Sequence, residues 1–235
     1  MIKPVARAGR NLEQRTLPVQ QRGTRTLDAI LEAAHNILKT EGIDGLSTQS
    51  VARQSRVAVG TVYRLFPNKE AIVCKVYEDK IATVRAMGEE TRLAVRPDDD
   101  WRAALTAYIR ALKAAEQSVD FDQSLANAVI LIPEIQRLDV LHAIDLAQRL
   151  VEMLLMLGAK WSDAALFDLA MTLYCLEGAS WQYARTCGAA NATLSERLLT
   201  CALTLVEPAM RGDPEPAGHG MDRDRLLAEY ALTRA

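Results

Sequence analysis

The spacing of apolar residues constrains the fold of this chain more than any other feature of its sequence. Apolar side chains recur at steps of three and four in the long segments, as they do at Leu27, Ile30, Leu31, Ala34 and Leu38. A helix places such positions on one face, whereas a strand needs strict alternation. The sequence contains no alternating run rich in β-branched residues and no internal repeat. It therefore predicts an all-α fold.

Glycine, proline and capping residues divide this pattern into helices. Gly42 stands where a first helix stops, Ser47 and Asn68 are suitable N-caps, and residues 96–100 break the chain. The predicted helices cover about residues 24–40, 48–54, 59–65, 69–93, 101–118, 120–131, 134–158, 163–186 and 191–211, with a short one within 221–233. This organisation separates a flexible basic arm at 1–22, a small domain at 23–68, a larger helical domain at 69–211 and a tail at 212–235.

The charge of the chain is unevenly distributed. Of its 28 basic and 30 acidic side chains, residues 1–69 hold 11 and 5, so the remaining residues hold 17 and 25. Such asymmetry is typical of a protein that meets a polyanion at one end. A basic disordered arm in front of an ordinary acidic domain is the alternative.

Several classes of function lack support in the sequence. The four cysteines form no CxxC pair, the three histidines are scattered, and the acids of the larger domain show no catalytic or metal-ligand spacing. We therefore expect no metal, no cofactor and no enzymatic activity. Since neither a signal peptide nor a run of about 18 uncharged residues is present, we expect a cytoplasmic protein without a membrane partner.

Residues 46–70 carry the most specific signal. Two short helices joined by a three- or four-residue turn cross steeply only if small or apolar residues fill the crossing, which here are Val51, Ala52, Val57 and Val62. The second helix then presents an outward face of Val59, Gly60, Thr61, Tyr63 and Arg64. This pattern is typical of a helix-turn-helix that reads duplex DNA.

The outward face suits the major groove. Val59 and Thr61 can contact thymine methyl groups, and Arg64 can reach guanine or phosphate. Gly60 costs about 1 kcal/mol inside a helix relative to alanine, which indicates that a side chain there obstructs a close approach. A helix start at which glycine costs little is the alternative.

The stretch VAVGTVYRLFPNKE at 57–70 resembles the DNA-binding signature of the tetracycline-repressor (TetR) family. The resemblance extends over about residues 24–75 through Ile30–Ala34, Gly42 and Leu46–Thr48. It implies a three-helix DNA-binding domain, a homodimer, and usually a repressor released by a small molecule. The expected architecture is an N-terminal helix-turn-helix domain followed by a larger ligand-binding and dimerisation domain.

Individual positions follow from the resemblance. Thr48, Tyr63 and Lys69 match the family's phosphate-contacting positions, and Thr61 and Arg64 stand where its recognition helix faces bases. Independently of the resemblance, Arg22 and Arg25 are expected to precede the first helix, where basic arms touch phosphate or the minor groove; solvated charges are the alternative.

Two residues depart from the family pattern. Arg56 replaces a glycine at the turn, where a positive φ disfavours other residues. Ala58 replaces the usual Ser or Thr cap, a loss of about 0.5–2 kcal/mol that predicts a frayed third helix.

The larger domain is expected to supply the dimer and the effector site. The resemblance implies a four-helix bundle between two subunits, formed here by residues 163–186 and 191–211, and a near-palindromic operator; an intramolecular core is the alternative. A pocket for an unidentified small molecule is predicted among helices at 80–160, lined by Tyr108, Leu112, Phe121, Leu125, Val129 and Met153. Core packing is the alternative for these residues, and a constitutive DNA-binding protein without an effector is the alternative function.

Overall fold

The computed structural model describes residues 21–119, 123–187, 192–217 and 222–231. The regular secondary structure in these ranges is helical throughout, which confirms the predicted all-α fold. The helices are α1 (Gln21–Gly45), α2 (Thr48–Ser55), α3 (Val59–Leu65), α4 (Lys69–Ala94), α5 (Trp101–Ser118), α6 (Gln123–Leu131), α7 (Pro133–Met156), α8 (Asp163–Cys187), α9 (Ala192–Arg211) and α10 (Arg223–Ala231).

The first helix begins earlier than the sequence predicts. Because α1 starts at Gln21, Arg22 and Arg25 lie within this helix and not in front of it, which corrects the predicted extent of the basic arm. The rest of that arm, residues 1–20, lies outside the described residues. Gly42 interrupts α1 with φ 69° and ψ −170°, a backbone conformation that suits glycine, so the regular helix stops where predicted.

The first of two hydrophobic cores joins α1, α2 and α3 to the first half of α4, to α6 and to the start of α7. Its buried members include Val51, Val62, Ile72 and Leu125. This core extends to Ile81 in α4, so it continues past residue 68, where the sequence places a domain boundary. The short α3 therefore contributes to a core that also contains part of the long α4, which leads into the rest of the chain.

The second core lies between α5, α7, α8 and α9. Leu105, Ile144, Leu154, Leu166 and Val206 come from these four helices and are buried together. Burial of such side chains is the main free energy that holds helices of this type against one another. Among the described helices, none is both long enough and apolar enough to cross a membrane.

A polar contact connects the two cores. Tyr77 of α4, a member of the first core, donates a hydrogen bond to Oδ1 of Asp139 in α7 over 2.5 Å. Tyr174 of α8, which packs against the second core, donates to the same oxygen over 2.7 Å. Hydrogen bonds to a carboxylate are stronger than those between neutral groups. Asp139 therefore holds α4 and α8 to one atom of α7.

Candidate functional sites

The start of α2 is fixed by a reciprocal cap. The Ser47 hydroxyl oxygen accepts from the backbone N–H of Ser50 over 2.9 Å, and the Ser50 hydroxyl oxygen accepts from the backbone N–H of Ser47 over 2.8 Å. These bonds satisfy two backbone donors that a helix start otherwise leaves unpaired. The cap sets where α2 begins, and with it the position of the turn that follows.

The turn between α2 and α3 is built around Arg56. Arg56 has φ 56° and ψ 30°, in the left-handed region that the sequence predicts for this position. Its N–H donates to the carbonyl of Arg53 over 3.4 Å, and the N–H of Val57 donates to the carbonyl of Ala52 over 3.1 Å. This is the bond pattern of a Schellman C-cap, which usually ends on glycine. The turn therefore has a geometry that favours glycine, with an arginine that strains it.

Replacing Arg56 with glycine is expected to raise the free energy of unfolding by about 1 kcal/mol, because the left-handed conformation costs a non-glycine residue about that much. Urea unfolding of the two proteins measures the difference. Arg56→Ala is the matched control, since it removes the same charge but keeps the strain, and we expect it to leave stability within about 0.5 kcal/mol of the native chain. Equal stability of the glycine and alanine variants would contradict the assignment of strain to this residue.

The third helix has one buried and one outward face. Val62 and Leu65 are buried, and Phe66 directly after them is fully buried. On the other side Val59 is 44% exposed and Tyr63 is 45% exposed. Gly60 and Arg64 are also exposed and Thr61 is half-buried. The structure thus brings together the five residues of the predicted outward face.

Ala58 provides no side-chain cap for α3, as the sequence predicts. The helix is nevertheless regular from Val59 to Leu65 because the buried face holds it against the first core. A Cβ built at Gly60 meets no other atom within 4 Å, so nothing inside the protein requires glycine there. The space in front of α3 at this position is open.

The other predicted contact residues differ in their accessibility. Thr48 is 7% exposed. The Nζ of Lys69, at the start of α4, donates to the carbonyl oxygen of Ile43 over 3.1 Å and so links α4 to the end of α1. Arg25 is exposed on α1, and the side chain of Arg22 lies outside the part of the structure that is described. These positions stay predictions as DNA contacts.

The electrostatic character of this surface is positive. Residues 45–69 contain Arg53, Arg56, Arg64 and Lys69 and no acidic side chain. The three arginines are exposed. The uncharged start of α3 lies between these cations in the sequence. Such an arrangement suits DNA, in which negatively charged phosphates flank a groove.

Comparison with known proteins agrees with this geometry. The family model for bacterial regulatory proteins of the tetR family matches residues 30–75, the stretch that contains the turn and α3. Residues 30–75 therefore contain a tetR-family domain. In this chain the helix-turn-helix of α2 and α3 lies ahead of a larger helical part.

Two curated relatives match part of this chain. The tetracycline repressor protein class A from transposon 1721 of Escherichia coli is 31% identical over 88 residues, which are 37% of this chain and 38% of the relative. The HTH-type transcriptional repressor DrrR1 of Streptomyces coeruleorubidus is 33% identical over 87 residues, which are 37% of this chain and 30% of the relative. The chain therefore spans well under half the length of either relative.

The fold similarity extends further than the sequence similarity. A crystal structure of a tetR-family regulator from Mesorhizobium loti superposes with a TM-score of 0.64 and 18% identity, covering 82% of this chain and 98% of that one. At this identity the match concerns the fold alone. It supports the all-α architecture beyond residue 75.

A cavity of about 400 Å³ lies between α5, α7, α8 and α9. Two of the six residues predicted to line a pocket, Tyr108 and Leu112, are on its wall. Leu125 and Val129 pack instead in the first core, because α6 lies against α1. Met153 is fully buried in the second core, and Phe121 lies outside the described residues. The structure does not bring the predicted set together.

Several residues of the cavity were missed by sequence reasoning. Leu173, Tyr174 and Glu177 of α8 and Leu198 of α9 line it. Their apolar spacing was assigned as a whole to a dimer interface, although one stripe faces the cavity. Glu177 within the apolar run of α8 was the available signal, since a carboxylate there is unexpected in a packed core.

No group of three side chains with metal-ligand chemistry occurs among the residues that the structure describes. Within those same ranges Cys74, Cys175 and Cys201 are free thiols. Burial and the nearby carboxylate of Glu134 raise the pKa of the Cys74 thiol to about 12, so it stays protonated and unreactive at neutral pH.

Proposed function

We propose that this chain is a transcriptional regulator that inserts α3 into the major groove of duplex DNA. The observation that carries the proposal is the outward face of α3 within a tetR-family domain. Val59 and Tyr63 are nearly half exposed there, at a helix start where Gly60 leaves the backbone accessible. Close approach to base edges requires small residues at this end of the helix.

The proposed regulator acts as a homodimer through α8 and α9. Leu176 in α8 and Leu205 in α9 are exposed, and the small residues Gly178 and Ala179 are exposed beside Leu176. Exposed apolar side chains next to small residues permit close packing of a second copy. A two-fold axis then places the two α3 helices about 34–36 Å apart on one side of the duplex. The matching operator is nearly palindromic.

The cavity is the proposed site of a small-molecule effector that releases the DNA. Its volume of about 400 Å³ falls in the range of small-molecule sites. Tyr174 lines the cavity and shares Asp139 with Tyr77, which is packed in the core that supports α3. A ligand that prefers one arrangement of α8 changes DNA affinity by its difference in affinity for the two arrangements.

Selection of bound sequences from a random duplex pool by the full-length chain tests this function. We expect the recovered duplexes to share an inverted repeat with half-site centres about one helical turn apart, each bound by two protomers. Recovery of no common sequence would contradict sequence-specific regulation. Screening small molecules for release of the selected duplex then separates the effector-responsive regulator from a constitutive one, which no compound releases.

Gly60→Ala is expected to separate DNA affinity from stability. The added methyl group meets no protein atom, and alanine favours a helix by about 1 kcal/mol, so stability stays equal or rises. The methyl group does occupy the space between α3 and the base edges, so affinity for the selected duplex falls about tenfold. Urea unfolding and fluorescence anisotropy measure the two effects. Unchanged affinity would favour a helix start at which glycine costs little.

A further inference from the structure

The wall of the cavity is largely apolar, includes the uncharged polar residues Gln117 and Ser195, and has charged side chains at two places. Its apolar part consists mainly of leucines from the four helices, namely Leu112, Leu146, Leu150, Leu173, Leu198 and Leu199. One charged place is the pair of Arg110 and Glu196, whose side chains are more than 60% exposed and so lie at the solvent end. The other is Lys113 with Glu177, which is less exposed. A ligand that fills the cavity therefore meets the less exposed of the two charged places at Lys113 and Glu177.

At the less exposed place, the ammonium group of Lys113 contacts two carboxylates. The Nζ of Lys113 lies 2.9 Å from Oε2 of Glu116 and 3.4 Å from Oε1 of Glu177. Within the described ranges, no second cation lies within 4.0 Å of either carboxylate. The three side chains together therefore carry an excess of one negative charge when both carboxylates are ionised.

Burial raises the free-energy cost of this excess negative charge. Desolvation and the neighbouring Glu177 raise the pKa of Glu116 to about 7, although Lys113 opposes the shift. The groups that face Glu116 are Lys113 on α5, Glu177 on α8 and the Tyr77 phenol on α4. The site therefore lacks one positive charge that would keep both carboxylates ionised at neutral pH.

Glu177 is the carboxylate that a ligand reaches. It lines the cavity, its side chain is 40% exposed, and its contact with Lys113 is the longer of the two. Tyr174 lies one helical turn before it and contributes its ring to the same wall. An aromatic ring beside a carboxylate is a favourable environment for an organic cation. Lys113 already contacts two carboxylates, so an anionic ligand finds little compensation there.

We propose that the effector cavity, which rests on the proposed function, takes amphiphilic organic cations whose apolar body fills the leucine-lined space and whose protonated amine pairs with Glu177. Glu116 and Glu177 share the single positive charge of Lys113, and the amine supplies a second one. Neutral molecules of the same shape bury the same apolar area but leave the excess negative charge uncompensated. Ligands of the same shape that carry a carboxylate add a further negative charge to the site.

Three compounds with one naphthalene body test the charge preference: 1-(aminomethyl)naphthalene, 1-naphthalenemethanol and 1-naphthaleneacetate. Titration calorimetry with the full-length chain at about pH 8, where Glu116 is largely ionised, is expected to give the amine about tenfold tighter binding than the alcohol, with the acetate weakest. Equal or tighter binding of the alcohol would overturn the proposal. Absence of binding by all three compounds would contradict the effector cavity itself and the proposal with it.

A matched pair of variants assigns the preference to Glu177. We expect Glu177→Gln to bring amine and alcohol within about threefold of each other while alcohol binding is kept, because only the charge pair is lost. Glu196→Gln removes a carboxylate from the solvent end of the same cavity and keeps the preference. A preference that survives Glu177→Gln and disappears in Glu196→Gln would overturn the assignment.

A second measurement needs no variant. Because burial and Glu177 raise the pKa of Glu116 to about 7, this carboxyl is partly protonated at neutral pH, and an arriving ammonium group lowers its pKa. Amine binding is therefore expected to release part of a proton, seen as a dependence of the binding enthalpy on the ionisation enthalpy of the buffer. The alcohol releases none. Amine binding without proton release would overturn the placement of the amine beside these carboxylates.

Discussion

Asp139→Ala is expected to lower the free energy of unfolding by about 3 kcal/mol, because two phenols, one of them fully buried, lose a charged acceptor. Tyr77 is 1% exposed and Tyr174 is half-buried, and both donate to Oδ1 of Asp139. Burial and the Asp139 carboxylate raise the pKa of each tyrosine well above its usual value, so both hydroxyls remain donors. Urea unfolding monitored by circular dichroism measures the loss.

The controls separate the hydrogen bonds from the volume that alanine removes. Asp139→Asn keeps an acceptor of the same size, and we expect it to lose about 1 kcal/mol. Tyr77→Phe and Tyr174→Phe each remove one donor and are expected to lose about 1–2 kcal/mol. If Asp139→Ala unfolds within about 0.5 kcal/mol of the native chain, the connection between α4 and α8 through Asp139 contributes little.

Arg64→Ala is expected to weaken binding of the selected duplex by about 1–3 kcal/mol, which is about tenfold to a hundredfold, and to relax its sequence preference. Arg64 is exposed in the last turn of α3, and no ion pair ties it to an acid in the described part of the chain. Replacing the Arg64 side chain with alanine therefore removes the proposed contact to DNA without leaving a charge unpaired inside the described part of the protein. Fluorescence anisotropy with the selected duplex and with random duplex measures both effects.

Arg211→Ala is the matched control for this prediction. Arg211 is an exposed arginine at the end of α9, where its partner Asp213 lies 3.9 Å away. We expect its removal to change affinity less than about twofold, because the proposed DNA surface does not include α9. If Arg64→Ala binds selected and random duplex in the native ratio, base contact by Arg64 is excluded.

Local signals in the sequence predicted the N-terminal helices well. Ser47 and Asn68 accept the capping hydrogen bonds that their positions indicate, and Arg56 adopts the positive φ expected at the turn. These features depend on residues a few positions apart, so sequence spacing contains the necessary information. The start of α1 was missed because Gln21 and Gly23 give no apolar periodicity.

The cavity depends on contacts between helices that are far apart in the sequence, and the spacing of apolar residues does not predict such contacts. Periodicity identifies the apolar face of α6 but not the helix that this face contacts. Leu125, which the sequence analysis places on a pocket wall, packs in the first core. The broad apolar stripe of α8 likewise does not face a single neighbour. Leu173 faces the cavity and Leu176, which also lines it, remains partly exposed for the proposed dimer. Which side chain faces which neighbour is decided by the tertiary arrangement.

Hydroxyl-radical and methylation footprinting of the selected duplex tests most directly whether α3 enters the DNA. We predict protection of guanine N7 in two major-groove segments about 34 Å apart on one side of the duplex, with both protections lost in Arg64→Ala. Protection of the backbone alone, without guanine protection in the major groove, would contradict the assignment of α3 as the helix that reads the sequence.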